Sequence, residues 1–427
     1  MSDTIYAAAT APGKAGVTVV RISGPEVPAI LEMLGAGDCP ARRACLRRLR
    51  DADGQTIDEA LILRFDAGAS FTGEAVAELQ MHGSLAVQRA VYARLAETGL
   101  CRLAEPGEFT RRALLNDRMD LTEVQGLADL IEAETEEQRR AALRVLNGEL
   151  SEQVEGWRAS LVRAAALLEA VIDFADEEVP EDVYPEVRDL LESLQADLNR
   201  ELAGRRSAVS LRDGFEVAIL GRPNAGKSSL INAIAGSDVA LVSALPGTTR
   251  DAIEVPIDIA GLKVRMTDTA GLRETTDQIE ALGIQKARQR AERADLRIFL
   301  YEEEQPPVWD PAPQKTDITI RTKADLNGGN GLSARTGAGV DQLLRQIGEA
   351  LSEKAAGAGL ITRQRDVAAI GEADARLEVL LRELQVRPHE IVADELRSIS
   401  AVLGRIIGAI GVEDVLDEVF RSFCMGK

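Results

Sequence analysis

The chain has 427 residues, 45% of them hydrophobic but only 3% aromatic, and a formal net charge of −20. That length exceeds one hydrophobic core and points to about two to four domains. No apolar run approaches the roughly 20 residues of a membrane helix, and the opening MSDTIYAAATAPGK has neither the basic nor the apolar segment of a signal peptide. A cytoplasmic chain with no membrane contact is expected. So acidic a protein repels a nucleic-acid backbone at long range, so any such contact is expected through local basic patches or a partner. The four cysteines, Cys39, Cys45, Cys101 and Cys424, are scattered without a CxxC, which favours reduced thiols over a disulfide framework or a zinc site.

Residues 1–118 alternate short β-rich runs with one clear helix. VTVVRIS reads as a strand, CLRRLR and QTIDEALILRF as two strands about an Asp/Gly turn, and AVAELQMHG as another. LAVQRAVYARLAETG reads as an amphipathic helix with Gly99 near its C-cap. The run holding Arg42, Arg43, Arg47, Arg48 and Arg50 reads as solvated arginines on an exposed hairpin edge. Residues 119–211 and 356–427 are helical in pattern. In the second block Val367, Ile370, Leu377, Leu380, Leu381 and Leu384 share one face, and Leu396, Ile399, Leu403, Ile406 and Ile410 form another stripe. Neither block is self-sufficient, so the two are expected to pack as one discontinuous helical bundle. Residues 212–355 then form an insertion. There FEVAILG, LKVRMTD, ADLRIFLY and DITIRT alternate with helical patterns, the mark of an α/β fold with a largely parallel sheet. EKAAGAG, 353–359, is expected to close it as a linker.

GRPNAGKSS, from Gly221 to Ser229, fits GxxxxGK[ST] between a strand and a helix. In such a loop the backbone N–H groups around Asn224, Ala225 and Gly226 face phosphate oxygens, Lys227 reaches the β and γ phosphates, and Ser228, followed by Ser229, ligates Mg²⁺. A plain Gly-rich turn is the competing reading. Further stretches follow in the order a guanine-nucleotide protein requires. Gly247-Thr248-Thr249 offers a hydroxyl to Mg²⁺. Asp268-Thr269-Ala270-Gly271 ends a strand, with Asp268 placed to hold Mg²⁺ through water and Gly271 facing the γ-phosphate. Thr322-Lys323-Ala324-Asp325 supplies a carboxylate for the guanine edge, and Ser333-Ala334-Arg335 a backbone donor for the base oxygen. Taken in order they point to GTP. Asparagine is usual where Thr322 stands. It would contact the base and tether the phosphate loop, so its loss is expected to weaken affinity more than base choice. Leu272 occupies the position where many such proteins carry a water-orienting Gln. Glu274, Asp277 and Glu280 lie just downstream, and spacing does not choose among them.

The nucleotide motifs resemble the translation-factor-like GTPases, and more closely their TrmE/Era subgroup. The whole chain resembles one family, the bacterial tRNA-modification GTPases MnmE (TrmE). The likeness rests on DTIYAAATAPGKAGVTVVRISG, FTGEAVAELQMHG, PGEFTRRALLNDRMDL, DTAGLRET and a closing Cys-x-Gly-Lys. The resemblance implies a multidomain α/β chain: an N-terminal α+β domain that binds tetrahydrofolate and dimerises, a discontinuous α-helical bundle, and an inserted Ras-like P-loop GTPase domain. It implies K⁺ beside Asn224, Ser243, Leu245 and Thr248, and Mg²⁺ on Ser228 and Thr249. It further implies a nucleotide loop through Ala244, Pro246 and Gly247, and catalysis by Glu280 with Lys227 when two G domains meet. A 5-formyl-tetrahydrofolate-type ligand would be held by Arg21, Glu78, Arg118 and Lys427, with Cys424 facing the pocket. Arg118 stands where Lys is usual, and Pro246 where a small residue is usual. The tail RSFCMGK fits this role better than a prenylation box, since Gly426 is not aliphatic and Lys427 is not an accepted final residue.

The implied activity is GTP hydrolysis by a homodimer. With a flavoprotein partner (MnmG, or GidA), in a heterotetramer or larger complex, it would install an aminomethyl or carboxymethylaminomethyl group at C5 of the wobble uridine of certain tRNAs. The rivals are a ribosome-assembly GTPase that binds RNA without modification chemistry, and a GTP-binding scaffold without useful hydrolysis.

Overall fold

The computed structural model describes residues 3–173, 183–222, 224–236, 254–268, 291–309, 312–327, 331–408 and Gly426. Two units are distinct, Met1–Ala128 with Ile407–Lys427, and Asp129–Ile406. In the first, period-two alternation builds a sheet of six strands: β1 (Thr4–Ala8), β2 (Val17–Ser23), β3 (Cys45–Arg50), β4 (Thr56–Phe65), β5 (Val76–His82) and β6 (Cys101–Leu103). They pair in the order β3-β4-β5-β2-β1-β6, antiparallel except for β1 with β6. One face carries Tyr6, Val20, Ile22, Ile62 and Leu79, buried with residues of α1 (Val27–Met33) and α2 (Leu85–Glu97). Burying such a face is what stabilises a half-polar sheet, at about 25 cal/mol per Å² of apolar surface. Gly99, just past α2, takes φ 67°, a conformation that suits glycine at a helix end.

The expectation of one helix in this region is corrected. Besides α1, a third helix, α3 (Glu108–Leu115), precedes the second block, and α1 and α3 have only 7 and 8 residues, too few for a repeating helical period. Arg47, Arg48 and Arg50 of the arginine run do lie on the edge strand β3, with Arg42 and Arg43 exposed just before it. Arg47 pairs with Asp38, Arg48 with Glu59, and Arg50 donates to the Gly54 carbonyl. The described cysteines Cys39, Cys45 and Cys101 are free thiols, and burial with the neighbouring Cys45 pushes Cys39 up to about 11.

Beyond α4 (Leu121–Glu132) and α5 (Glu136–Leu146), four helices form a bundle: α6 (Glu149–Asp173), α7 (Tyr184–Asp213), and two from the far end of the chain, Gln364–Glu383 and His389–Gly404. In each the buried positions step by three and four residues. The series are Leu150, Val154, Trp157, Leu161, Ala164, Leu168, then Val187, Leu191, Leu194, Leu198, and, in the last two helices, Ile370, Ala373, Leu377, Leu380 and Val392, Leu396, Ile399, Leu403. That spacing keeps one seam facing its neighbours along the helix. The two stripes expected at 367–384 and 396–410 are buried at Ile370, Leu377, Leu380, Leu384, Leu396, Ile399, Leu403 and Ile406, with Val367 and Leu381 half-buried; Ile410 lies outside the described residues. No described helix is long and apolar enough to cross a membrane.

Between the helical pairs in sequence lies a second sheet: β7 (Phe215–Gly221), β8 (Glu254–Ile259), β9 (Leu262–Asp268), β10 (Leu296–Tyr301) and β11 (Ile318–Arg321), in the order β11-β10-β7-β9-β8. All pairings are parallel except that of β8. Its helices are α8 (Lys227–Ala235), the short α9 (Ala324–Asn327) and α10 (Val340–Ala356); the two late bundle helices are therefore α11 and α12. The expected linker 353–359 is corrected, since α10 continues to Ala356 and only Gly357 onward is irregular. The chain enters this sheet from α7 through a single residue, Gly214, with φ 105°. It returns against α7: the Leu360 N–H donates to Glu201 Oε2 at 3.0 Å, and a Cβ on Gly204 would lie 2.7 Å from the Gly359 nitrogen and 2.8 Å from the Gly357 oxygen.

Gly204→Ala is therefore expected to lower stability by about 1–3 kcal/mol, because the added methyl meets backbone that cannot rotate away. Denaturant unfolding of the whole chain measures it, and a midpoint equal to wild type would contradict the close approach.

Candidate functional sites

The phosphate loop joins β7 to α8. Gly221 is required at the strand end, since a Cβ there would stand 2.8 Å from the Leu300 oxygen of β10. Asn224 and Gly226 take φ of 66° and 90° on either side of Ala225, so the backbone turns sharply into the helix start. Helix N-termini present unpaired N–H groups and a positive dipole end, which favour a phosphate. Lys227 is buried, and its Nζ donates to the carbonyls of Gly221 at 2.9 Å and Arg222 at 3.0 Å, holding the ammonium over the loop. Ser228 and Ser229 are exposed on the first turn of α8. Two acidic residues follow β10 nearby. Glu303 is paired by Arg222 at 2.6 Å and Glu302 by Lys323 at 2.9 Å, which offsets carboxylates that would repel a polyphosphate.

The base-reading segment lies two strands away, after β11. Thr322 is buried, and its hydroxyl donates to the Ala225 carbonyl of the phosphate loop at 2.9 Å, with the Tyr301 carbonyl at 3.2 Å. The tether whose loss was expected is thus present in another form. Asp325 is exposed, and one of its oxygens accepts from buried Ser333 Oγ at 2.8 Å, which fixes the carboxylate and leaves lone pairs for outside donors. Ala334 and Arg335 form the turn after Ser333, half-buried and exposed respectively.

In the first unit, Arg21 and Glu78 sit opposite each other on β2 and β5. They alternate with Val20, Ile22 and Leu79, so they occupy the face away from α1 and α2. Arg21 Nη2 meets Glu78 Oε1 at 3.0 Å, and the guanidinium lies 5.5 Å from the Phe71 ring centre and 5.7 Å from that of Phe109. Exposed Arg118 lies against the loop that follows Phe71, since a Cβ on Gly73 would stand 3.2 Å from its Cγ. Gly426 lies against the same sheet: a Cβ there would stand 1.9 Å from the Ala8 oxygen.

Sequence reasoning missed what holds this loop. Arg112 is 1% exposed and donates to Asp3, Glu74 and Glu108 at 2.9–3.1 Å, while Arg102 also reaches Asp3 and Glu108. Ser23 bonds both Thr72 and Glu74, and Asn116 donates to the Thr72 carbonyl. Burial alone would push the Glu108 carboxyl up. Hydrogen bonds from Arg102, the Glu105 N–H and Arg112 outweigh it and hold the group below the usual carboxylate range. Asp3 is lowered in the same way. Asp3, Thr72, Glu74, Glu108, Arg112 and Asn116 fall in DTI, FTGE and PGEFTRRALLNDR, which was the available signal, and Ser23 falls in RISG; Arg102 and Glu105 lie outside those stretches.

Of the other expected site residues, Ser243, Ala244, Leu245, Pro246, Gly247, Thr248, Thr249, Thr269, Ala270, Gly271, Glu280, Cys424 and Lys427 lie outside the described residues, as do Leu272, Glu274 and Asp277. Asp268 is described as the last residue of β9.

Two family models match the chain: "GTP-binding protein TrmE N-terminus" over residues 4–118 and "MnmE helical domain" over residues 121–424. The chain is 52% identical over 429 residues to a protein of Ruegeria pomeroyi and to one of Cereibacter sphaeroides, and 49% identical over 431 residues to one of Roseobacter denitrificans. Each of the three bears the name tRNA modification GTPase MnmE, and each match covers 100% of both chains.

Glu108→Gln is expected to destabilise the chain by about 3 kcal/mol at pH 7, because it breaks a buried ion pair. The depressed carboxyl stabilises the fold above the ordinary value of 4.5 and loses that contribution as pH falls through its lower folded value. The gap between mutant and wild type should therefore narrow as pH falls below 4.5 and close once it passes that lower folded value, in acid-unfolding curves. A gap independent of pH would contradict the network.

Proposed function

Because the chain belongs to the tRNA modification GTPase MnmE family, we propose that its GTP hydrolysis drives modification of the wobble uridine of certain tRNAs. In that reading a homodimer works in the cytoplasm with a flavoprotein partner of the MnmG kind. It adds an aminomethyl or carboxymethylaminomethyl group at C5, and a reduced folate supplies the carbon. The observation that carries the nucleotide part is the alignment along one sheet edge of Lys227 over the start of α8 and Asp325 fixed by Ser333. A cradle for phosphates and a carboxylate for a base with two adjacent donors follow the ends of β7 and β11, with β10 between them. That is a guanine-nucleotide arrangement.

Catalysis would fall to Glu280, with Lys227 neutralising charge on the phosphates. Ser228, at the exposed start of α8, suits Mg²⁺ together with Thr249. Asn224, exposed in the loop, suits K⁺ together with Ser243, Leu245 and Thr248. A monovalent cation there would supply the charge that an arginine supplies elsewhere. The folate reading is supported by the pairing of Arg21 with Glu78, by Arg118 against the Gly73 loop that follows Phe71, and by Gly426 against Ala8. Arg21 and Glu78 engage each other, so a ligand would bind them as a pair, with Phe71 beside it offering an aromatic wall. Lys427 and Cys424 would complete the pocket.

Two measurements test this. GTP turnover should rise at least about tenfold in K⁺ over Na⁺; equal and negligible rates would leave only a binding scaffold. Nucleoside analysis of tRNA from cells lacking the gene should show unmodified wobble uridines, and unchanged ones would remove the modification assignment. For the folate site, Gly426→Ala should weaken 5-formyl-tetrahydrofolate binding by at least about tenfold in calorimetry, since a methyl cannot fit against Ala8. GTP affinity should stay at the wild-type value.

A further inference from the structure

Cys39 and Cys45 meet at the β3 edge of the first sheet, a region that neither the nucleotide nor the folate reading uses. Cys45 opens β3 and is registered opposite Ile62 of β4. It is half-buried, shares a strand face with Arg47 and buried Leu49, and packs against the cluster that holds Cys39 and Ile62. Cys39 is fixed at the same level from both sides. Two residues after it, Ala41 bridges Arg64 of β4 in parallel, so the residues before Ala41 run back toward Ile62. One residue before it, Asp38 accepts from Arg47 Nε at 2.8 Å and from Arg47 Nη2 at 3.1 Å, and Arg47 is registered opposite Ala60. Between the levels of Arg64 and Ala60 lies that of Ile62, where Cys45 stands. A disulfide needs this kind of approach, with Cα atoms within about 7 Å.

The two thiols differ in access. Cys39 is 1% exposed, and burial, with the Cys45 thiol beside it, pushes it up to about 11, so it keeps its proton at neutral pH and is sheltered from solutes. Cys45 is reachable from solvent, its Sγ 3.7 Å from the carbonyl of exposed Arg43. An accessible thiol beside a sheltered one is the arrangement in which the first is oxidised and the second resolves it. Cys101 has no such neighbour among the described cysteines. It lies on β6 at the opposite end of the sheet, five strand spacings or about 24 Å away.

We propose that Cys39 and Cys45 form a peroxide-responsive dithiol, closing a reversible disulfide that ties the segment between α1 and β3 to the start of β3. The Cys45 thiolate attacks one oxygen of hydrogen peroxide. The O–O bond breaks, and the leaving hydroxide takes up the proton that Cys45 released, giving a sulfenic acid and one water. The Cys39 sulfur then attacks the Cys45 sulfur. The S–O bond breaks, and hydroxide leaves with the Cys39 proton as a second water. The thiols lose two electrons and two protons, and the peroxide is reduced to water. A small thiol in excess reverses the bond by exchange.

The test exposes the reduced full chain to hydrogen peroxide, alkylates the remaining thiols and digests with trypsin. Cleavage after Arg42 and Arg43 puts Cys39 in the peptide 22–42 and Cys45 in the peptide 44–47. The two should be recovered joined, from a chain that stays single without reductant, with loss of both free peptides; dithiothreitol should part them. In Cys39→Ser, Cys45 should stop at the sulfenic acid and take up dimedone. In Cys45→Ser, Cys39 should stay reduced at the same peroxide exposure. Should Cys39→Ser fail to fold, judged by melting, wild type and Cys45→Ser still decide. Peptides that remain separate after peroxide overturn the proposal. So does a link from either thiol to Cys101, to Cys424 or to a second chain, and so does oxidation of Cys39 in Cys45→Ser.

Discussion

Neither helical pair of the second unit can bury its own apolar seam. α6 and α7 present Val154, Leu161, Leu191 and Leu198, and α11 and α12 present Ile370, Leu377, Leu396 and Leu403, about 200 residues later. Each pair on its own would leave half of its seam in water, at roughly 1.5–3 kcal/mol per large side chain. Closing the bundle therefore requires the chain to leave and come back, and everything between must bring its two ends together. The five-stranded sheet does so. It begins one residue after α7 and returns to the same stretch of α7, where Gly204 admits the backbone of 357–359 and Glu201 satisfies the Leu360 N–H.

The N-terminal unit solves a different problem, placing charge where little water reaches. A fully buried guanidinium is tolerable only when its donors are met. Arg112 finds acceptors for both Nη groups on Asp3, Glu74 and Glu108, which come from the residue before β1, the loop before β5 and its own helix, while its Nε has no partner among the described residues. The same contacts anchor the loop bearing Phe71 and Gly73, and hence the neighbours of Arg21 and Arg118. Charge burial here orders the sheet face around Arg21 and Glu78 as well as stabilising a fold.

Much of this was legible in the residues. VTVVRIS and FEVAILG carry strand patterns that the structure reproduces to the residue, and the three-four stripe from Leu396 to Ile406 marked a buried helix face. The short elements were not. β1, β6, α1 and α3 are too brief for periodicity to separate from chance. Arg112 was also opaque, because EFTRRALL looks like a helix with a solvated basic face. Its acceptors on Asp3 and Glu74 lie 109 and 38 residues away in sequence, and only the folded sheet brings them near. The contact made by Thr322 was opaque for a related reason. Asparagine is the residue expected to tether the phosphate loop there, and residue type alone does not show that a threonine hydroxyl meets a carbonyl 97 residues earlier.

The joint at Gly214 has a mechanical consequence. A helix of 30 residues feeds, through one residue, into the strand that ends in the phosphate loop. Such a helix is about 45 Å long, so a tilt of the strand by about 5° would sweep its distant tip through about 4 Å. With almost no slack to absorb it, a small rearrangement around bound phosphates would be magnified along the rod rather than dissipated in a loop.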